Sequence, residues 1–236
     1  MRTYRLTPPV LAMTLFAWLA PLAANSIAAP TSQHETGVTS RSASEQSLFR
    51  TTHLLAAGDL SAAKNALHHA ERALQQDALT NDQIARTQAM RLLHDAHQLE
   101  RHIKQGDADT QRLAQTLWRK SAALAERRAA YLGDAWPRML HDHPVKSQLI
   151  DARLYLHYAS IEAFTAHNQS AADEYLNLAQ THISQAHELA FQQHRPVMEI
   201  VGLQKRIAAL AAAPPGQRVQ QQFKLRRGEL SVMIDQ

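Results

Sequence analysis

Apolar residues recur at alternating intervals of three and four along most of this 236-residue chain. This spacing places them on one side of an α-helix, and it constrains the fold more than any other feature of the sequence. Two of the clearest stripes are Leu60, Ala63, Leu67, Ala70 and Leu74, and Ala172, Leu176, Ala179, Ile183 and Ala186. No proline lies between Thr31 and Trp136, where helix-favouring residues dominate. The sequence therefore predicts an all-α protein.

Turn-forming residues divide the chain into about seven predicted helices. Gly58-Asp59 and Gly106-Asp107 are typical of a helix end followed by a helix start, because glycine adopts the left-handed backbone of a C-terminus and aspartate caps an N-terminus. Further boundaries are predicted at Ser42, Thr80, Pro144, Ser170, Pro196 and Pro214-Pro215-Gly216. Because the stripes alternate Ala with Leu, neighbouring helices can approach closely. We expect residues 42–213 to form antiparallel helical hairpins in an elongated bundle or a short irregular solenoid.

A short motif occurs twice, 109 residues apart. Ser61-Ala62-Ala63-x-x-x-Leu67-x-x-Ala70 recurs as Ser170-Ala171-Ala172-x-x-x-Leu176-x-x-Ala179, and each copy follows a polar turn. In this feature the chain resembles tetratricopeptide-like helical-hairpin repeat proteins, whose second helices commonly begin with a Gly-Asp-type turn and an Ala-rich first turn. The segment from Leu54 to Leu74 also resembles the opening of YfdX-type exported helical stress proteins. The resemblances imply stacked hairpins with a protein-binding face and a role in envelope stress, and they assign no site residues.

The first 28 residues predict a cleaved secretory signal peptide. Arg2 and Arg5 precede an uncharged apolar stretch from Leu6 to Ala24, and Ser26 and Ala28 are small residues of the kind that a signal peptidase recognises. An uncleaved membrane anchor is the alternative, but three prolines interrupt the stretch. Residues 29–41 are polar and predict a disordered leader. We expect secretion across the inner membrane to the bacterial periplasm, and a chain without Cys suits that oxidising compartment.

Charge and hydropathy narrow the classes of partner. The net charge of +4 becomes +2 once Arg2 and Arg5 are removed. So small an excess of basic residues does not indicate that the protein binds nucleic acid. No segment after the apolar N-terminal stretch reaches the length of a transmembrane helix. We therefore expect neither nucleic acid nor a membrane span in the mature chain.

Residues 214–236 have a different pattern from the rest of the chain. Apolar residues alternate with polar ones at Phe223, Leu225, Leu230, Val232 and Ile234. Alternation is typical of strands, and Arg227-Gly228 could turn between two of them, so this tail predicts a β-hairpin. Packing of the tail on the helices is the preferred outcome, with addition to a partner's sheet or disorder as alternatives.

Histidines are numerous, and four of them, with Asp142, are the candidate metal ligands. His94 and His97 lie three residues apart on the third predicted helix, and His141-Asp142-His143 lies in the linker before Pro144. Imidazole groups can bind zinc, copper or nickel without thiolates. However, the spacing of four that lets one helix hold one ion is missing, so we expect solvated histidines and no metal or other cofactor. A histidine-based periplasmic metal binder is the alternative function.

No motif of a known catalytic class is present. The chain has no G-x-S-x-G motif and no phosphate-binding loop, and its seven glycines do not form a dinucleotide-binding turn. Carboxylates such as Asp107 and Asp109 fall where helix caps are expected. We therefore do not expect an enzyme.

Basic residues gather on the fourth predicted helix, which provides the candidate partner-binding residues. The candidates are Arg112, Trp118, Arg119 and Arg127, with Lys120 and Arg128 beside them. An exposed face of this kind could bind a lipid headgroup or an acidic protein, while the alternative is a solvated face balanced by acids such as Glu126. Trp118 is expected to be buried. The sequence as a whole favours an exported, non-catalytic scaffold or adaptor that binds another protein.

Overall fold

Eight α-helices account for most of residues 42–133 and 143–235, the part of the chain that the structure, a computed structural model, describes. They are α1 (Ala43–Ala56), α2 (Leu60–Asp77), α3 (Gln83–Gln105), α4 (Thr110–Gly133), α5 (Pro144–Ile161), α6 (Gln169–Gln192), α7 (Met198–Ala212) and α8 (Gln220–Asp235). A π-helical turn, Glu162–Ala166, continues α5, and a short 3₁₀ turn, Pro215–Gln217, precedes α8. No strand occurs in these ranges, so the all-α prediction is confirmed. The predicted signal peptide and leader, and His141 and Asp142, lie outside them.

The helix ends follow the turn residues of the sequence. Ser42 accepts a hydrogen bond from the Glu45 backbone N at 3.2 Å, and Asp59 accepts one from Ala62 N at 2.9 Å. Gly58 has a φ of 77° and Gly106 has a φ of 70°, the left-handed backbone that favours glycine. Short polar side chains and glycines therefore determine where these helices begin and end.

Two predicted caps are displaced by two residues. Helix α3 is capped by Asp82, which accepts from Ala85 N at 3.0 Å, whereas Thr80 accepts from the backbone of Asp82 in the preceding turn. Helix α6 is capped by Asn168, which accepts from Ala171 N at 3.1 Å, and not by Ser170. In both cases an Asp or Asn side chain, among the most favourable N-caps, takes the position.

The predicted β-hairpin of the tail is wrong, because residues 220–235 form α8. Phe223, Leu230 and Ile234 are buried, and their spacing of seven and four belongs to a helix. Leu225 and Val232, which completed the alternating pattern, are exposed. The preferred packing of the tail on the other helices is confirmed, since α8 contacts α5 and α7.

The described helices form two groups with the same pattern of contacts. In the first group each of α1–α4 contacts the next and α4 contacts α1, and in the second group α5–α8 do the same. The repeated motif lies at the start of the second helix of each group. Asp59 and Asn168 are equivalent caps, 109 residues apart, and each follows a left-handed residue, Gly58 or His167. The repetition in the sequence thus extends to a four-helix unit, and α4 packing on α5 joins the two units.

Helix α5 lies at the centre of these contacts. It packs against α4, α6 and α8, and its buried residues therefore surround the helix instead of forming one stripe. Asp151 is among them, and Glu162 in the π-helical turn is also buried. Buried carboxylates need compensating positive charge, which α4 supplies. None of the described helices combines the length and the apolar character that a membrane span requires.

Candidate functional site

The basic residues of α4 do not share one exposed face. Because α4 packs against α1, α3 and α5, residues that follow one another on it point to different neighbours. Arg127 is 3% exposed, donates to Asp151 Oδ1 at 2.7 Å and also pairs with Asp82. The prediction that Arg127 belongs to a partner-binding surface is therefore wrong, and so is the alternative of a wholly solvated face. Instead, Arg127 compensates the buried acid of α5.

Two other candidates on α4, Arg112 and Trp118, also contact other residues of the protein. Arg112 pairs with Asp109 one turn away, with 2.8 Å between Nη2 and Oδ2, on an exposed part of the helix. Trp118 packs against Phe49 of α1 with their ring centroids 5.2 Å apart. It is partly buried, and its indole nitrogen is enclosed, in line with the expectation of burial. Neither residue lies in the cavities described below.

Arg119 and Lys120 connect α4 to the π-helical turn on two sides. Arg119 Nη1 donates to Thr165 Oγ1 at 2.8 Å, while Lys120 forms a buried ion pair with Glu162. Burial alone would lower the pKa of Lys120, but Tyr175, Glu162 and Asp95 outweigh this effect and raise it overall. Lys120 therefore remains a cation. π-Helical turns such as Glu162–Ala166 are frequent at functional sites.

A cleft of about 400 Å³ opens on the Arg119 side of this junction, a volume within the range of ligand sites. We call it the cationic cleft. It is lined by Arg119 of α4, by His157, Ser160 and Ile161 of α5, by Thr165, and by Gln220, Gln221, Lys224 and Arg227 of α8. Two consecutive helices, α4 and α5, and the distant C-terminal helix α8 thus meet at one polar cavity.

Positive charge in the cationic cleft exceeds the negative charge around it. Arg119 and Lys224 form no ion pair with any residue in the described ranges. Arg227 contacts Glu126 Oε2 at 3.3 Å through Nη2, but its buried Nε has no hydrogen-bond partner among the described atoms. Burial lowers the pKa of Arg227, against the effect of Glu126. Three cationic side chains therefore line the cleft, and among the described residues only Arg227 has a carboxylate partner.

His157 and Glu126 form a pair at the edge of the cationic cleft, with 3.6 Å between Nδ1 and Oε2. The contact with His157, together with the charges of Arg227 and Arg153, lowers the pKa of Glu126 to about 2. Burial lowers the pKa of His157, and Glu126 offsets this only in part. The ring is thus held in its neutral form in a cleft that already contains several cations.

The cationic cleft also contains a serine beside a histidine, as in nucleophilic hydrolases. No hydrogen bond joins Ser160 to His157 within the described part of the chain, and both lie on one helix, three residues apart. A serine nucleophile requires that contact for activation. The arrangement therefore supports anion binding better than acyl transfer.

A second cavity, of about 570 Å³, opens on the Lys120 side of the junction. We call it the mixed-charge cavity. Its charged residues are Arg86, Arg91 and Asp95 of α3, Lys120 of α4 and Glu162. Its wall includes Met90, His94, Ala171 and Tyr175. This cavity therefore combines both signs of charge with an apolar side.

The histidine candidates are separated by the fold. His94 lies at the mixed-charge cavity and contacts Gln98, whereas His97 Nε2 lies 3.9 Å from Glu71 Oε1 of α2. His143 Nδ1 lies 3.4 Å from Arg195 Nη2. Within residues 42–133 and 143–235 no three His, Asp or Glu side chains are close enough together to hold a metal ion.

Sequence reasoning identified Arg119 but missed the other residues of the cationic cleft. His157 lies on α5, and Lys224 and Arg227 lie on α8. Because residues 214–236 were expected to form a β-hairpin, Lys224 and Arg227 were not expected to lie beside Arg119. The spacing of Lys224 and Arg227, three residues apart, would have placed both on one face of a helix. No protein-family model, curated protein or solved structure matches this chain.

Proposed function

We propose that the protein is an exported, non-catalytic helical adaptor that binds an acidic segment of a partner protein in the cationic cleft. The observation that carries this proposal is the excess of positive charge at Arg119, Lys224 and Arg227 in a cavity large enough for several side chains. Carboxylates fit this site because guanidinium and ammonium groups form charge-assisted hydrogen bonds with them. The N-terminal sequence, with the pattern of a signal peptide, supports export to the periplasm, and the resemblance to exported stress proteins supports a role in envelope stress.

The geometry supports selective binding of an anion for two reasons. Arg119 is held by Thr165 and Arg227 by Glu126, so both guanidinium groups are oriented before a ligand arrives. Lys224 is exposed and can adjust to the ligand. Groups that are already oriented lose less conformational entropy on binding, which increases affinity.

A labelled peptide of eight glutamates is a suitable probe, with binding measured by fluorescence polarisation on the purified protein. Replacing Arg119 or Lys224 with Gln removes one charge-assisted hydrogen bond, worth about 1.5–3 kcal/mol, and should weaken binding at least about tenfold. Added salt should weaken binding further, since exposed charges are screened.

Lys205→Gln is the matched control, because Lys205 is an exposed lysine of α7 that does not line the cleft. It should leave the affinity unchanged, and a peptide of eight glutamines should not bind. An equal loss with Lys205→Gln and Lys224→Gln would mean that only the overall charge matters. That result, or no binding of the glutamate peptide, would overturn the proposal.

A further inference from the structure

Arg91 and Asp95 lie one turn apart on α3 and both line the mixed-charge cavity, yet they do not pair with each other. Opposite charges at this spacing commonly form an ion pair on a helix. Here Arg91 Nη1 lies 3.8 Å from Glu174 Oε1, and Asp95 Oδ2 lies 3.8 Å from Lys120 Nζ. Both distances exceed that of a hydrogen bond. Each side chain thus keeps hydrogen-bonding capacity towards the cavity.

The other ion pair at this cavity is complete. Lys120 and Glu162 are 9% and 6% exposed and are bound directly to each other. They therefore neutralise one another, which leaves Arg91 and Asp95 as a cation and an anion able to reach a ligand. Arg86 keeps its charge, but its guanidinium group is held by two hydrogen bonds to the Thr80 carbonyl, at 3.0 and 3.1 Å.

An apolar wall lies beside these two groups. Met90 is 56% exposed and lies next to Arg91 in the sequence, and Tyr175 and Ala171 of α6 contribute a ring and a methyl group. The Tyr175 ring also contacts Lys120, with 5.7 Å between Nζ and the ring centroid. A half-exposed methionine and an aromatic ring can adapt to an apolar side chain of a ligand.

We infer that the mixed-charge cavity binds a zwitterionic ligand of the α-amino-acid type. Arg91 donates to the ligand carboxylate, Asp95 accepts from the ligand ammonium group, and the ligand side chain packs on Met90 and Tyr175. A ligand with a single charge would form a charge-assisted hydrogen bond with only one of the two protein groups. Burial raises the pKa of Asp95, although Lys120 opposes this, and a bound ammonium group would stabilise its charged form.

L-phenylalanine is the first probe, with L-leucine and L-methionine as further probes, and binding to the whole protein is measured by calorimetry. N-acetyl-L-phenylalanine lacks the positive charge and L-phenylalaninamide lacks the carboxylate. Each should bind at least about tenfold more weakly than L-phenylalanine, since a charge-assisted hydrogen bond is lost.

Two variants test which charged group of the ligand binds to Asp95 and which binds to Arg91. Asp95→Asn should remove the preference for L-phenylalanine over its N-acetyl derivative, and Arg91→Gln should remove the preference over the amide. Arg101→Gln, an exposed arginine on the same helix, should keep both preferences. Because each variant is compared across ligands, a change in its stability does not mimic the result.

The inference would be overturned if none of the three free amino acids bound to the protein. It would also be overturned if Asp95→Asn and Arg91→Gln kept the ligand preferences of the unmodified protein. Lys224→Gln should bind L-phenylalanine like the unmodified protein, because Lys224 lies in the cationic cleft. The outcome is therefore separate from that of the glutamate-peptide experiment.

Discussion

Lys120 of α4 and Glu162 of the π-helical turn form an ion pair between two side chains that are 9% and 6% exposed. This pair joins the first group of four helices to the second. Its neighbour, the hydrogen bond from Arg119 to Thr165, makes the same connection towards the cationic cleft. The two candidate sites thus lie on either side of one junction, and residues of that junction line both of them.

Removing only one member of the Lys120–Glu162 pair should strongly destabilise the fold. Lys120→Met leaves Glu162 buried without its direct partner, and such changes cost about 3–5 kcal/mol. Adding Glu162→Gln to this variant should restore part of the loss, because the uncompensated charge is gone. Urea unfolding of both variants measures the difference in the free energy of unfolding.

The surface pair Lys104–Glu100 provides the control for this experiment, with 2.8 Å between Nζ and Oε1 and a lysine that is 57% exposed. Lys104→Met should change the free energy of unfolding by no more than about 0.5 kcal/mol, as is usual for exposed pairs on a helix. Similar effects of Lys104→Met and Lys120→Met would mean that the buried pair does not hold the two groups together.

Leu176 and Asn177 should respond very differently to replacement by alanine. Leu176 is fully buried in the stripe of α6, so Leu176→Ala leaves a cavity that costs about 2–5 kcal/mol. Asn177 is exposed, and Asn177→Ala should cost less than about 0.5 kcal/mol. Thermal or denaturant unfolding gives both values, and equal small effects would contradict the burial of this stripe in the isolated chain.

The stability of the fold should decrease as the pH falls below the ordinary pKa of histidine, in part because of His157. The pKa of His157 is lowered in the folded state by burial, so the unfolded chain takes up the proton first. The contribution of the neutral ring is present above about pH 6.5 and is lost as the pH falls through the range between the two pKa values. His157→Gln should make the melting temperature less sensitive to pH between about 7 and 5.

His69→Gln is the comparison for this measurement, since His69 is exposed on α2. The melting temperature of the His69→Gln variant should depend on pH in the same way as that of the unmodified protein. His182, whose pKa is also lowered by burial, leaves a remaining dependence in the His157→Gln variant. If His157→Gln and His69→Gln behaved alike, the ring of His157 would not be held in its neutral form.

Much of the fold can be predicted from the sequence because local chemistry determines it. The stripe through Leu67 is fully buried except for Leu60 at its start, and its repeat through Leu176 is fully buried. Gly58 and Asp59 end and begin helices as expected. These features depend on helix periodicity and on capping, which act over a few residues. The displaced cap at Asn168 shows the limit, because several polar residues compete in one turn.

The candidate sites were harder to predict because they depend on which helices meet. Lys120 and Arg127 look like surface residues in the pattern of α4, and only the packing of α5 reveals that they are buried. A clue was present in α5 itself, where Asp151 lies in a run that also contains Leu149, Ile150, Ala152, Leu154 and Leu156. An acid in such a helix requires a buried cation from a neighbour.

Gly228 offers the sharpest test of the C-terminal helix. It lies inside α8, where it is exposed, has no positive φ, and has no neighbouring atom within 4 Å of the place where a Cβ would be added. Alanine loses less conformational entropy than glycine in a helix, so Gly228→Ala should stabilise the fold by about 0.5–1 kcal/mol.

Gly106→Ala is the control for this prediction. A Cβ at Gly106 also meets no atom within 4 Å, but the φ of 70° strains an alanine, and this variant should be destabilised by about 1 kcal/mol. Denaturant unfolding of the two variants should therefore give shifts of opposite sign. In a β-hairpin with its turn at Arg227-Gly228, the glycine would adopt a positive φ and alanine would destabilise it, so a loss of stability in Gly228→Ala would contradict the helix.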